Sequence, residues 1–320
     1  MRPPTRSIGV IVGTVVTLAF VASSCASNGT TSAATGGSSS SATAEPLFPV
    51  TIDAANGEVT IEQLPERIVS ISPTATEMLF AVDAGPQVVA VDDYSNYPAD
   101  APTTDLSGFE PNVEAIAAYE PDLVVFSGGP EDLERSLDKL KIPALLQPAA
   151  ADLDDVYDQI EELGAATGHP EAAATVIATM QTDIDEIVAS IDTSGEDRTY
   201  YHELDDTLYS VTSSTFIGTV YAVLGLENIA DEADGAGSGY PQLSAEYVID
   251  ADPDLIFLAD TKCCGQTAEK VAKRPGWDGL QAVGNGGVVE LDDDVASRWG
   301  PRIVDLLRTV AGAINAQAAA

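Results

Sequence analysis

Apolar and polar positions change period several times along the chain, and the changes mark its elements. Pro49 to Ile61 alternates like a β-hairpin turning at Asn56-Gly57. Short apolar runs at Ile68–Ile71, Val88–Val91, Leu123–Phe126 and Ala144–Leu146 have the length and bounding residues of buried strands. Helical patterns separate them. One is opened by the capping-box spacing Thr74-Ala75-Thr76-Glu77 and stops near Gly85; one runs from Asn112 to Tyr119; others span Glu131–Leu140 and Asp152–Ala166. Strand and helix in alternation predict a parallel sheet covered on both faces.

A long segment then interrupts the alternation. Pro170 to Ile191 has no internal Gly or Pro and carries Val176, Ile177, Met180, Ile184, Ile187, Val188 and Ile191 at helical spacing, a helix of roughly 33 Å. Beyond it the alternation resumes: strands at Thr199–Tyr201 and Leu208–Val211, a helix from Thr215 to Leu224, a helix at Ala245–Ala251, strands at Leu255–Leu258 and Val288–Leu291, and a last helix opened by Pro301. The expected fold is α/β: two Rossmann-like parallel-sheet lobes, 46–168 and 194–320, joined by one long helix within 169–193, with a ligand cleft between them.

The halves carry a repeat. Asn112-Val113-Glu114 precedes Glu120-Pro121-Asp122-Leu123, and Ser244-Ala245-Glu246 precedes Asp252-Pro253-Asp254-Leu255; corresponding residues stand 132 positions apart. Each glutamate follows a helix-capping residue, where a carboxylate complements the helix dipole. Duplication also sets the two at equivalent corners of similar lobes, a geometry suited to docking on a symmetric partner.

The N-terminus is of another kind. Arg2 and Arg6 precede an uncharged apolar run from Ile8 to Ala22, then Ser23, Ser24 and Cys25. Its fifteen residues span roughly 22 Å as a helix, short of the ~30 Å hydrocarbon core, which favours a signal peptide over a retained anchor. The Cys at its end resembles a bacterial lipobox, though Ala22 stands where that motif usually has Leu. Residues 1–24 are read as a lipoprotein signal peptide and Cys25 as the lipidated residue, with plain secretion and a retained anchor as alternatives. The Ser/Thr/Ala/Gly stretch within 25–45 is too poor in apolar side chains to fold and reads as a tether of about 24 Å.

Charge narrows the partners. The chain of 320 residues has 14 Lys+Arg against 51 Asp+Glu, a net charge of −37, which removal of Arg2 and Arg6 would take to −39. Such a chain does not displace counterions from nucleic acid. There is no Gly-x-Ser-x-Gly elbow, Walker loop or His-Glu-x-x-His motif, so no enzyme is read here; Gly235–Gly239 is a loop. His202-Glu203-Leu204-Asp205-Asp206 reads as a solvated acidic loop rather than a metal site, with only the distant His169 for company. No resident metal or cofactor is expected. Cys263 and Cys264 are adjacent; a vicinal disulfide, free thiols and coordination of a metal or ligand all stay open.

From Phe48 to Ala316 the sequence resembles the substrate-binding proteins of ABC importers for cobalamin, ferric siderophores and haem. The residues that carry the resemblance are Arg67-Ile68-Val69-Ser70-Ile71-Ser72-Pro73-Thr74-Ala75-Thr76-Glu77, Tyr94-Ser95-Asn96-Tyr97-Pro98, the two Glu and Pro-Asp-Leu blocks, and Gly300-Pro301-Arg302-Ile303. The first two stretches look most like the cobalamin binders. The resemblance implies an extracytoplasmic, lipid-anchored monomer that takes a metal chelate, a corrinoid ahead of a ferric siderophore or haem, and delivers it to an ABC permease dimer with its ATPase. It places Pro73, Tyr94, Tyr97, Phe109, Tyr209, Tyr240 and Trp299 at the cleft, and Glu114 and Glu246 opposite arginines of the permease. Arg298 is the candidate for a ligand amide or carboxylate, and Arg302 for neighbouring carboxylates. The stiff helix between lobes implies a largely preformed cleft. From another class, a surface-anchored binding or adhesion module without a transporter would also fit the charge and the tether.

Overall fold

The computed structural model describes residues 47–130, 132–191 and 198–318. The segments read as signal peptide and tether, and Cys25 with them, lie outside the described residues. Strands β1 (Val50–Ala54) and β2 (Gly57–Ile61) form the antiparallel hairpin. Gly57 takes φ 101° at its turn, where a Cβ would be strained.

The first lobe follows as β3 (Ile68–Ile71), α1 (Pro73–Ala81), β4 (Val88–Val91), α2 (Val113–Ala117), β5 (Leu123–Phe126), α3 (Leu133–Lys139), β6 (Ala144–Leu146) and α4 (Leu153–Thr167). Its strands pair in parallel in the order β4-β3-β5-β6. Helix α5 (Pro170–Ala189) leads out of this lobe; twenty residues make about 30 Å.

The second lobe consists of β7 (Arg198–Glu203), α6 (Phe216–Val223), β8 (Leu226–Asn228), α7 (Ala245–Ala251), β9 (Leu255–Leu258), α8 (Ala268–Val271), α9 (Gln281–Gly284) and β10 (Val288–Glu290), then α10 (Asp293–Ser297) and α11 (Ile303–Ala318). Its parallel order, read from the other edge, is β8-β7-β9-β10. Numbered within each lobe, both sheets run 2-1-3-4. The duplication seen in the sequence is thus a duplication of topology.

The repeat extends to backbone detail. Glu120 and Asp252, each just before a proline, are left-handed at φ 50° and 43°. Asp122 accepts the amides of Glu66 and Arg67 ahead of β3, and Asp254 accepts the amide and hydroxyl of Thr199 at the start of β7. The Pro-Asp-Leu block therefore begins one strand and fastens its neighbour.

Three sequence expectations are corrected. Leu208–Val211 is not a strand: Leu208 sits at φ 68°, and only Tyr209 makes an isolated bridge, to Gln242. The partner strand is β8, which follows Gly225. Helix α1 is capped by Ser72, whose side chain accepts from the Ala75 amide with Pro73 in the first turn, so Glu77 is free for other work. The last helix begins at Ile303, with Pro301 and Arg302 in the turn before it.

One apolar cluster runs through both lobes. It includes Ile68, Leu123 and Met78 from the first, Met180 and Ile184 of α5, Tyr221 and Phe257 of the second, and Ile303, Leu307 and Ile314 of α11. Separate clusters lie on the opposite sheet faces, around Val124 and Leu137 in one lobe and around Tyr201 and Trp277 in the other.

Candidate ligand-binding site

The C-terminal ends of β3, β4 and β5 open into a cavity of about 460 Å³. Ser72, Pro73 and Thr74 follow β3; Asp92 and Tyr94 follow β4; Ser127, Gly128 and Gly129 follow β5; Gly108 and Phe109 come from the loop before α2. The segment after the second sheet closes the other side with Asp294, Ser297, Arg298 and Trp299. Strand ends beside a topological switch point are where open α/β sheets leave room for a ligand.

Its walls are aromatic. Tyr94 and Phe109 meet edge to face, centroids 5.4 Å apart, and both are exposed. Trp299 is held by its indole N–H, which donates to Gln159 Oε1 at 2.9 Å, while the Gln159 amide donates to the Pro148 carbonyl. The ring is thereby fixed against α4 across the lobes.

Arg298 differs from expectation. It is 8% exposed and spends its nitrogens on Glu77 (2.8 Å), Asn96 (3.0 Å), the Tyr94 carbonyl (3.0 Å) and Asp294 (2.9 Å). It bridges the lobes rather than offering a free cation to a ligand. Glu77, buried on α1, also accepts from Arg302, whose Nε donates at 2.8 Å and whose guanidinium lies 4.1 Å over the Tyr97 ring. The hydrogen bonds Arg302 donates to Glu77 raise its pKa further. On the other flank Lys262 pairs with Asp292 and Asp294. The Ser-Pro-Thr-Ala-Thr-Glu stretch is therefore a structural unit: Ser72 caps, Thr74 lines the cavity, Thr76 donates to Ser70 Oγ and bonds Ser95, and Glu77 holds two arginines.

Of the residues expected at the cleft, Pro73, Tyr94, Phe109, Arg298 and Trp299 share this cavity. Tyr97 lines a separate hollow with Arg302 and Asp100. Tyr209 and Tyr240 are exposed on adjoining loops of the second lobe, tied by Ser210 N–H to the Pro241 carbonyl and Thr212 N–H to the Gly239 carbonyl, and do not line the cavity. Asp92, Gly108 and the Ser127-Gly128-Gly129 turn were missed. A glycine pair directly after a strand is the signal that would have pointed to the last.

Glu114 and Glu246 are exposed in the first turns of α2 and α7. Asn112 caps one helix through the amides of Glu114 and Ala115, and Ser244 caps the other through that of Tyr247. Neither glutamate forms an ion pair among the described residues.

The His202-Glu203 stretch is not a solvated loop. Both residues end β7 and are fully buried. His202 Nδ1 bonds the Tyr221 hydroxyl at 2.9 Å, and burial lowers its pKa to about 3. Glu203 takes a two-pronged ion pair from Arg274 (2.6 and 2.5 Å), which also lies 4.6 Å over the Trp277 ring. Asp260 stands beside them, buried; desolvation and the Glu203 charge push its pKa up to about 7. Cys263 and Cys264 are free thiols. No cluster of three metal-ligating side chains occurs among the described residues.

Residues 68–295 match the model of the family described as periplasmic binding protein. The chain belongs to that family. It is 30% identical over 280 residues to the uncharacterized ABC transporter substrate-binding lipoprotein YvrC of Bacillus subtilis, covering 84% of this chain and 86% of that one. It is 31% identical over 281 residues to a cobalamin-binding protein of Halobacterium salinarum, covering 84% and 74%. Among solved structures, the periplasmic vitamin B12 binding protein BtuF of Vibrio cholerae superposes with TM-score 0.66 at 25% identity, over 79% of this chain and 98% of that one. The periplasmic heme-binding protein RhuT of Roseiflexus superposes with TM-score 0.69 at 23% identity, over 79% and 99%, a likeness of fold. These relatives are binding proteins rather than enzymes, the two solved ones periplasmic, and this chain is a substrate-binding protein of the ABC type.

Proposed function

We propose that the protein captures a cobalamin or another corrinoid in the cavity between its lobes and delivers it to an ABC permease with its ATPase. One observation carries the choice of ligand: the only cation among the described residues of the cavity lining, Arg298, is committed to four protein acceptors, while Asp92 and Asp294 add negative charge. A ligand edged with carboxylates, as haem is, would find no free positive group there and would lose hydration without compensation. A corrinoid presents broad apolar faces to Tyr94, Phe109 and Trp299 and a periphery of neutral amides. A cationic ferric siderophore is the second reading, favoured by the same two carboxylates. Cys25 provides the lipid anchor at the outer face of the membrane, the 25–45 segment the tether, and Glu114 and Glu246 the contacts with permease arginines.

The test pairs binding with uptake. Purified protein should bind cyanocobalamin one to one by calorimetry and co-elute with its red chromophore; no binding at 100 μM would overturn the corrinoid reading. Glu114→Arg and Glu246→Arg should leave that affinity intact and impair cellular uptake, the double variant most, because facing like charges at an interface cost several kcal/mol. Normal uptake by the double variant would refute docking through these residues. Cys25→Ala should release the protein from the membrane fraction with binding unchanged.

A further inference from the structure

The polar groups around the cavity are not equally occupied. Thr76 bonds both Ser70 and Ser95, and Arg298 has its four acceptors. Asp294 accepts from Lys262, Asn96 and Arg298. Asp92 is the exception. It lines the cavity, is 3% exposed, and its Oδ1 has no hydrogen-bond partner among the described residues. Buried carboxylate oxygens are rarely left so, because each unmet acceptor is destabilising; such groups concentrate where a ligand completes them.

The local backbone keeps this carboxylate bare. Gly108, also in the lining, packs against it: a Cβ there would stand 2.5 Å from Asp92 Oδ2 and 3.1 Å from the Ile71 carbonyl. Any side chain at 108 would press on the carboxylate or displace it. Burial raises the Asp92 pKa, against the hydrogen bonds of Ser95 and the charge of Arg298, so a donor brought to it relieves a real penalty.

We propose that Asp92 selects the ligand: it accepts a hydrogen bond from an N–H donor on the ligand's periphery, and its charge turns away ligands that present a carboxylate at that point. The inference deepens the corrinoid reading, since a volume of about 460 Å³ takes in an edge of so large a molecule, and that edge carries the amides. A site built to pair with an N–H discriminates strongly against a ligand lacking it.

The experiment titrates the full chain, Asp92→Asn and Gly108→Ala with cyanocobalamin, with its three monocarboxylic acids (one propionamide hydrolysed in each), with cationic ferrioxamine B and with haemin. Wild type should bind cyanocobalamin at least tenfold tighter than one of the monocarboxylic acids. Asp92→Asn should bring that pair within about threefold, mainly by binding the acid better, while its thermal unfolding stays that of a folded protein. Gly108→Ala, which crowds the carboxylate without removing it, should also narrow the ratio. An unchanged ratio in both variants would make Asp92 a packing residue and overturn the proposal. If cyanocobalamin fails to bind but ferrioxamine B binds and weakens at least tenfold in Asp92→Asn, the corrinoid reading falls and Asp92 stands. Haemin binding equally to wild type and Asp92→Asn, or none of the probes binding, overturns the role of Asp92.

Discussion

The two lobes share a sheet order and a repeat, yet their strand ends have been put to opposite uses. β5 and β9 correspond at the repeat spacing of 132, and the parallel registers pair Ile71 with Phe126 in one lobe and Glu203 with Leu258 in the other. Glu203 therefore occupies the place of Ile71, and Asp260 the place of Gly128. In the first lobe that corner is an apolar side chain and a bare glycine, and it stays open as the cavity floor. In the second, two carboxyl groups and Arg274 fill it. Within one repeated frame, the residues at two equivalent positions leave the corner open in one lobe and fill it in the other.

The comparison can be broken most severely at Glu203. Its removal leaves Arg274, 18% exposed, without its buried partner, and Glu203→Ala should cost about 3 to 5 kcal/mol in denaturant unfolding. A loss below 1 kcal/mol would show that the sealed corner does not hold the lobe together.

Filling the open corner tests the other half. A Cβ on Gly128 meets nothing within 4 Å, so Gly128→Leu should fold with an unchanged melting temperature while weakening ligand binding at least tenfold by occupying the cavity. Unaltered affinity would move the ligand away from this strand end.

The smallest effect sharpens the electrostatic contrast. Asp260, with its pKa raised to about 7, holds a proton in the folded state between roughly pH 4 and 7 that the unfolded chain releases. Folded-state stability from this group is thus present at low pH and is lost as pH rises through 7. Asp260→Asn should stabilise the protein by about 1 to 2 kcal/mol at pH 8 and by almost nothing at pH 4. A gain equal at both values would show that the carboxyl does not titrate in this range. His202, held neutral with its pKa lowered to about 3, works in the opposite sense: stability falls as pH drops below 6.5.

What was legible in the sequence follows from the range of the forces involved. β5 and β9 are continuous apolar runs and β3 is one interrupted only by Ser70; they were readable because each is buried on both faces. Leu208–Val211 has the same composition but a left-handed residue at its head, which no local pattern announces. Thr74 and Glu77 matched a capping spacing, while Ser72 with Pro73 behind it is the better cap and Glu77 finds its partners more than 220 positions away. The cavity aromatics divided for a similar reason. Tyr94, Phe109 and Trp299 line one cavity, whereas Tyr97, Tyr209 and Tyr240 depend on loop paths set by distant contacts. Asp92 carries no motif at all; its distinction is an unmet acceptor, visible only once neighbours are known.

The apolar cluster that passes from the first sheet through α5 and α11 into the second has a consequence for the molecule's ancestry and its unfolding. The halves are recognisable as copies, but each has surrendered part of its interior to the other. A second lobe expressed without α5 would show water the apolar face of α11 that now packs against it. The shared cluster predicts that the copies melt as one cooperative body and that a chain cut in two between them does not yield two stable halves.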